Sequence, residues 1–296
     1  MRLRGILPAA LAATALLASC NDARRPMETV CWFWSDSTAH AYMAIDAELP
    51  SGSGKAAANV RRDLSETVVD GLLSHVTSYE EERFFPPYDG DWSDITGMLE
   101  YYRDSSFAQI ARMSQEDADE REEYIMQDTD FSEEEKAEIL SEMPEWCYEF
   151  SLTKADETER YVVFQSFDYV YLGGAHGGVT GRGCLTYSKK DGSRVDGFVD
   201  PSAAGDLQPL LIAGLLDYYK ECGYETDWDT LKDGLFIEDG FVPLPAWSPY
   251  PTAEGLGFIY QQYEIASYAD GMPSFVVPYD DVKPFLTPEA RQLLGL

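Results

Sequence analysis

Hydrophobic spacing changes at Glu145, and that change constrains the fold more than any other feature of the chain. Upstream, Val60, Leu64, Val68, Leu72 and Val76 recur every four residues, which places one apolar stripe along a helix. From Glu145 onward, WCYEFSL, RYVVFQSFDYVYL and GCLTYSK are rich in β-branched and aromatic residues and read as consecutive strands. ETVCWFW and HAYMAIDAEL read as an earlier strand pair around the turn SDST. Residues 206–222 predict a crossing helix with Leu207, Leu210, Leu211, Leu215 and Tyr218 on one side, Pro209 in its first turn and Gly223 past its end. KKDGSR predicts a turn through Asp191-Gly192, FIEDGFVPL a hairpin about Asp239-Gly240, and GFIYQQYEIASY and SFVVPY two more strands. The order of strands, helices, then strands with one crossing helix predicts an α+β fold, mainly antiparallel sheets packed against helices.

A helical acidic insertion is expected over residues 94–143. Ser114 precedes QED and Ser132 precedes EEE, so each serine is positioned to cap a helix while an acid three residues on returns the bond. Between Ser114 and Glu145 there are 14 acids and two bases. Such a run reads first as a solvated helical face and second as a docking surface.

The chain opens with Arg2 and Arg4 ahead of a short apolar stretch that ends in Leu17-Ala18-Ser19-Cys20. This is the layout of a secretory signal, and its ending resembles the lipobox of bacterial lipoproteins, in which the cysteine is lipidated and becomes the N-terminus. Residues 1–19 are thus expected to be removed and Cys20 to carry lipid. Asn21 after the cysteine favours the outer membrane of a Gram-negative cell. Removing Arg2 and Arg4 leaves 20 basic residues against 53 acidic, a net charge of −33. That balance excludes nucleic acid, which needs a basic surface, and favours cationic partners. It also disfavours adhesion to anionic lipid, leaving membrane contact to the anchor.

Cys31, Cys147, Cys184 and Cys222 remain, an even count that in an exported chain suggests two disulfides with three possible connectivities. No Cys/His spacing of a zinc site is present, and the three histidines, His40, His75 and His176, do not suggest a metal centre. DGDWSDITGMLE places Asp89, Asp91, Ser93 and Glu100 at calcium-loop positions, but Asp94 stands where the loop needs glycine, so a turn with solvated acids is expected.

FDYVYLGGAHGGVTGRGCLTYSKKDGSRV (residues 167–195) resembles the Gly-Gly-Ala-His segment of the RsiV-like C-terminal domain, and GFIYQQYEIASYADGMPSFVVPYDDVKPFL (residues 257–286) resembles its closing motif. AYMAIDAEL with the Val60 helix is similar to the accessory region of PdaC-type polysaccharide deacetylases. The resemblance implies an extracytoplasmic α/β fold without a catalytic centre of its own. In RsiV-type anti-sigma factors this domain binds lysozyme. Neither a sigma-binding segment nor a deacetylase domain is expected here, so only the binding capacity carries over. The implied organisation is a signal peptide at 1–19, a tether at 20–27, an accessory-like region at 28–160 with the insertion at 94–143, and an RsiV-like domain at 161–290.

Glycines at 173, 174, 177 and 178 surround His176 after a strand, where a tight loop needs freedom of φ. No nucleophile elbow or metal-protease motif accompanies it, so His176 is expected to hold the loop or touch a ligand. Glu264 between aromatics suits a raised-pKa acid, but packing with a backbone-bonded carboxylate is the simpler expectation. The ligand-binding candidates are therefore Gly174, His176, Tyr263, Glu264 and Tyr268, with no catalytic residue, metal or cofactor assigned. The expected function is a non-catalytic, lipid-anchored envelope protein that binds a cationic partner such as lysozyme. The alternatives are an enzyme acting on peptidoglycan or glycan through His176 and Glu264, and a glycan-binding lipoprotein.

Overall fold

The computed structural model describes residues 25–74, 85–91, 93–142, 145–173 and 178–296. Cys20, His75, Val76, Gly174 and His176 lie outside them. Strands β1 (Thr29–Ser37), β2 (Ala41–Pro50), β3 (Trp146–Glu157), β4 (Tyr161–Tyr171) and β5 (Val179–Ser188) form one sheet in that order. All neighbours are antiparallel except β2 and β3, which run parallel because the helical segment returns the chain between them.

The first of those helices, α1 (Lys55–Ser74), lays Val60, Leu64, Val68 and Leu72, each at most 1% exposed, over the alternate β2 residues Met43, Ile45 and Ala47. Each such side chain contributes about 1.5–3 kcal/mol relative to exposure. Helix α2 (Ile95–Gln127) follows, anchored through Met98, Leu99, Tyr102 and Ile110. Its N-cap is Asp94, whose carboxylate accepts from the Gly97 amide at 3.1 Å. The start expected at Ser114 is corrected, since α2 runs unbroken through it. Ser114 is 1% exposed and its hydroxyl donates to the Ala111 carbonyl at 3.1 Å, so its oxygen is turned along the helix instead of capping one. Helix α3 (Glu133–Ser141) keeps the expected capping box between Ser132 and Glu135.

A second core lies downstream. Helix α4 (Gln208–Glu221) packs Leu211, Leu215 and Tyr219 among the residues of a small antiparallel sheet, β6 (Tyr250–Pro251), β7 (Gly255–Ile259) and β8 (Ser274–Pro278). Short helices α5 (Trp228–Leu231), α6 (Tyr279–Val282) and α7 (Pro288–Leu294) complete it. Tyr250, Leu293 and Leu294 join it to Tyr161, Val163 and Cys184 on the face of the large sheet turned away from α1. The whole is α+β, as expected.

Two strand expectations fail locally. Asp239 and Gly240, at φ 51 and 70, do form the turn in FIEDGFVPL, but its flanks do not pair; the Phe236 amide donates instead to the Ile265 carbonyl at 2.8 Å. In GFIYQQYEIASY the strand ends at Ile259, because Tyr263 at φ 64 turns the chain.

The expected disulfides are also absent, and all four cysteines are free thiols. Cys31 stands opposite Glu48 and Cys147 opposite Tyr42, with β2 between them. Two strand spacings of about 4.8 Å plus the length of strand from Tyr42 to Glu48, roughly 20 Å, exceed the ~4.4–6.8 Å a disulfide spans. Cys147 and Cys184 are offset in the same way across β4, at Tyr171 and Gln165, and Cys222 closes α4.

Candidate functional site

Of the two described residues that flank positions 174–177, Gly178 is held by a distant part of the chain and Gly173 lies close to one. Gly178, after the loop, accepts a hydrogen bond from the Tyr268 hydroxyl at 2.7 Å. Gly173, before it, adopts φ 76, and a Cβ there would lie 2.9 Å from the Arg121 guanidinium and 3.3 Å from the Trp146 indole nitrogen. On β4, opposite Gly181, burial pushes the Asp168 carboxyl above its usual range.

The closing motif does not add a strand to β5; its glutamines satisfy that edge. Gln262 accepts from the Thr180 amide at 2.8 Å, while Gln261 accepts from the Arg182 amide at 3.1 Å and donates to the Arg182 carbonyl at 2.8 Å. A side-chain amide thereby replaces a neighbouring backbone, which leaves no open edge at these positions. Glu264 closes the turn itself. One carboxylate oxygen accepts from the Ala246 amide at 2.6 Å and the other from the Gln261 amide at 2.7 Å. With both oxygens so engaged, Glu264 is a clamp between two loops. Tyr263 is 56% exposed, its ring 6.0 Å from that of Tyr268.

A different site emerges at the far end of the sheet. Helices α2 and α3 enclose a groove of about 640 Å³ lined by Asp117, Glu120, Arg121, Tyr124, Ile125, Ile139 and Glu142. Tyr124 is 74% and Ile139 36% exposed, so apolar side chains meet solvent inside an acidic rim. Both bases of the stretch are already engaged. Arg121 bridges Asp117 at 3.0 Å, and the buried Lys136 ammonium donates to the Met126 carbonyl at 3.0 Å, closing the end of α2. Asp117 also accepts from the Trp146 indole at 3.2 Å, which fixes the groove to the start of β3. Apolar lining and a rim whose Glu120 and Glu142 pair with no base among the described residues together suit a ligand that is both basic and apolar.

Residues 215–280 match the model of a family described as a protein of unknown function, DUF3298. That match covers less than a quarter of the chain. Two solved structures are similar in fold over nearly all of it. A DUF3298 family member from Bacteroides fragilis is 16% identical with a TM-score of 0.62, covering 92% of this chain and 99% of that one. A DUF3298 family protein from Pseudomonas aeruginosa is 14% identical with a TM-score of 0.55, covering 90% of this chain and 98% of that one. No curated protein matches.

The matched residues include Tyr263, Glu264 and Tyr268; of these Tyr268 reaches Gly178 just before β5, Tyr263 lies by its ring, and Glu264 holds the turn whose Gln261 and Gln262 bond the β5 edge. Gly174 and His176 fall outside the described residues. The groove lies outside the matched residues, and sequence reasoning saw its charge but not its apolar lining. The signal was present in Tyr124 and Ile139, two large apolar residues standing in an acidic run.

Proposed function

We propose that this chain is an extracytoplasmic, lipid-tethered binding protein that captures a cationic partner on the acidic α2–α3 face and has no chemistry of its own. The observation that carries the reading is the groove, where Tyr124, Ile125 and Ile139 sit between Asp117, Glu120 and Glu142. Acidity alone favours solubility; acidity around exposed apolar surface favours a partner, since apolar contact supplies affinity and charge supplies rate and selectivity. The likeness of residues 167–195 and 257–286 to the RsiV-like domain, whose members bind lysozyme, makes a cationic muramidase the concrete partner. The apolar stretch ending in Leu17-Ala18-Ser19-Cys20 supports the tether.

Calorimetry with lysozyme at low and moderate salt tests the binding. Heat is expected at low salt, weaker as salt screens the rim, and largely lost in a Glu120→Lys/Glu142→Lys double variant. Absence of heat at either salt with concentrated protein removes lysozyme as the partner. Release of fragments from purified peptidoglycan by the protein alone would replace the reading with an enzymatic one.

A further inference from the structure

We propose that the end of the molecule bearing Arg25, Lys55 and Lys190 docks on anionic headgroups of the membrane that holds Cys20, so that the acidic α2–α3 groove points away from the bilayer. The inference rests on the tethering part of the proposed function and gives that tether an orientation. It revises the expectation that so negative a chain avoids anionic lipid.

A concavity of about 490 Å³ is lined by Arg25, Lys55, Lys189 and Lys190 against one acid, Glu28. Lys189 is 5% exposed and donates to Glu157 at 2.6 Å and to the Arg25 carbonyl at 2.7 Å, so it fixes Arg25 in place. Arg25, Lys55 and Lys190 are exposed, and among the described residues none of the three forms an ion pair within 4 Å, the carboxylate that Lys190 acts on being its exposed neighbour Asp191. Their charge therefore faces solvent on a chain whose overall balance is strongly acidic.

Position selects the partner. Four residues lie between Cys20 and Arg25, and the five Cα–Cα steps reach at most about 17 Å even when fully extended. The concavity sits at the sheet end where Thr29 pairs with Pro50 and Tyr161 with Ser188. Trp146, which ties the groove to the sheet, starts β3 at the opposite end, and Glu157 finishes it beside Lys189. Twelve strand residues set these ends roughly 36 Å apart. At physiological salt, charges interact over about 8 Å, so headgroups held near Arg25 meet the basic concavity and not the distant acids. The tether supplies the high local concentration that lets so few cations suffice.

Hydrogen exchange on the lipidated mature protein tests this, in vesicles of phosphatidylcholine alone or mixed with phosphatidylglycerol, at about 0.15 M salt. Amides of residues 51–57 and 188–193 are expected to exchange more slowly in the anionic vesicles, with those of α3 unchanged. Lys55→Glu and Lys190→Glu should each weaken docking about fivefold and together erase the difference. Folding is not at stake, because Glu at residue 55 suits the first turn of α1 and Lys190 lies in an exposed turn. Equal exchange in the two vesicles overturns the docking and leaves the tether standing. A Cys20 found without diacylglycerol by mass spectrometry of membrane-extracted protein overturns the tether and the docking with it.

Discussion

The Tyr268 hydroxyl donates to the Gly178 carbonyl at 2.7 Å across 90 residues of sequence. It fastens the turn after β7 to the chain just before β5 begins, and Tyr263 lies against the same ring. Removing the hydroxyl leaves a half-buried carbonyl without its donor. Tyr268→Phe should therefore cost about 1 kcal/mol, and Tyr268→Ala more, since the contact with Tyr263 goes too. Urea unfolding measures both. Equal midpoints for the wild type and Tyr268→Phe would mean that the hydroxyl holds nothing.

Glu264→Gln separates a clamp from a catalytic acid. Each carboxylate oxygen accepts a backbone amide, from Ala246 at 2.6 Å and from Gln261 at 2.7 Å. Glutamine keeps one acceptor and turns a donor toward the other amide, so one N–H loses its partner. The expected cost is about 1–3 kcal/mol in unfolding free energy, with faster exchange at Ala246 or Gln261. A variant with wild-type stability would mean that these two hydrogen bonds do not hold the loops together.

Much of this arrangement was legible in the sequence, for identifiable reasons. The Val60, Leu64, Val68, Leu72 stripe was readable because one face of α1 is buried along its length. Ser132 was readable because its capping partner Glu135 is local. Ser114 offers the same local pattern, yet buried contacts at Ile110 on one side and Ala118 on the other carry the helix through it. The glutamine caps on β5 could not be read, since Gln261 meets Arg182 across 79 residues and only the folded chain brings a free strand edge beside it. The groove was half legible: charge is additive along a chain, whereas its apolar lining requires two helices to bring Tyr124 and Ile139 to one concavity.

Thiol reactivity should sort by burial. Cys31 and Cys222 are exposed, Cys147 is intermediate, and Cys184 lies against Tyr161 and Val163. Burial pushes the Cys184 thiol up to about 12, and the thiolate is the reactive form. In a Cys20→Ser chain at neutral pH, iodoacetamide should label Cys31 and Cys222 quickly, Cys147 more slowly, and Cys184 only after denaturation. Mass spectrometry of the labelled peptides reads this directly. Protection of any pair that disappears on reduction would instead establish a disulfide.

Glu157 should make stability fall in acid. Its carboxylate accepts from Lys189 at 2.6 Å, from the Met27 amide at 2.6 Å and from Lys154 at 3.1 Å, and so ties β3 to β5's turn and to the N-terminal segment. Burial is the largest single influence and opposes ionisation, but the hydrogen bonds from Lys189, Met27 and Lys154 together outweigh it and hold the pKa below 4.5. A carboxyl lowered in the folded state binds protons more readily when unfolded, so its contribution is present above the unfolded pKa and is lost as pH falls through the folded one. Stability should thus decline below about pH 4.5, and Glu157→Gln should flatten the part of that slope due to this group. At neutral pH Glu157→Ala should cost about 3–5 kcal/mol, because it strands the Lys189 charge, which is 4% exposed at its side chain. Urea midpoints followed from pH 7 to 3 in wild type and Glu157→Gln check the sign. A slope of unchanged steepness in the variant would mean that this carboxylate is not a source of the acid sensitivity.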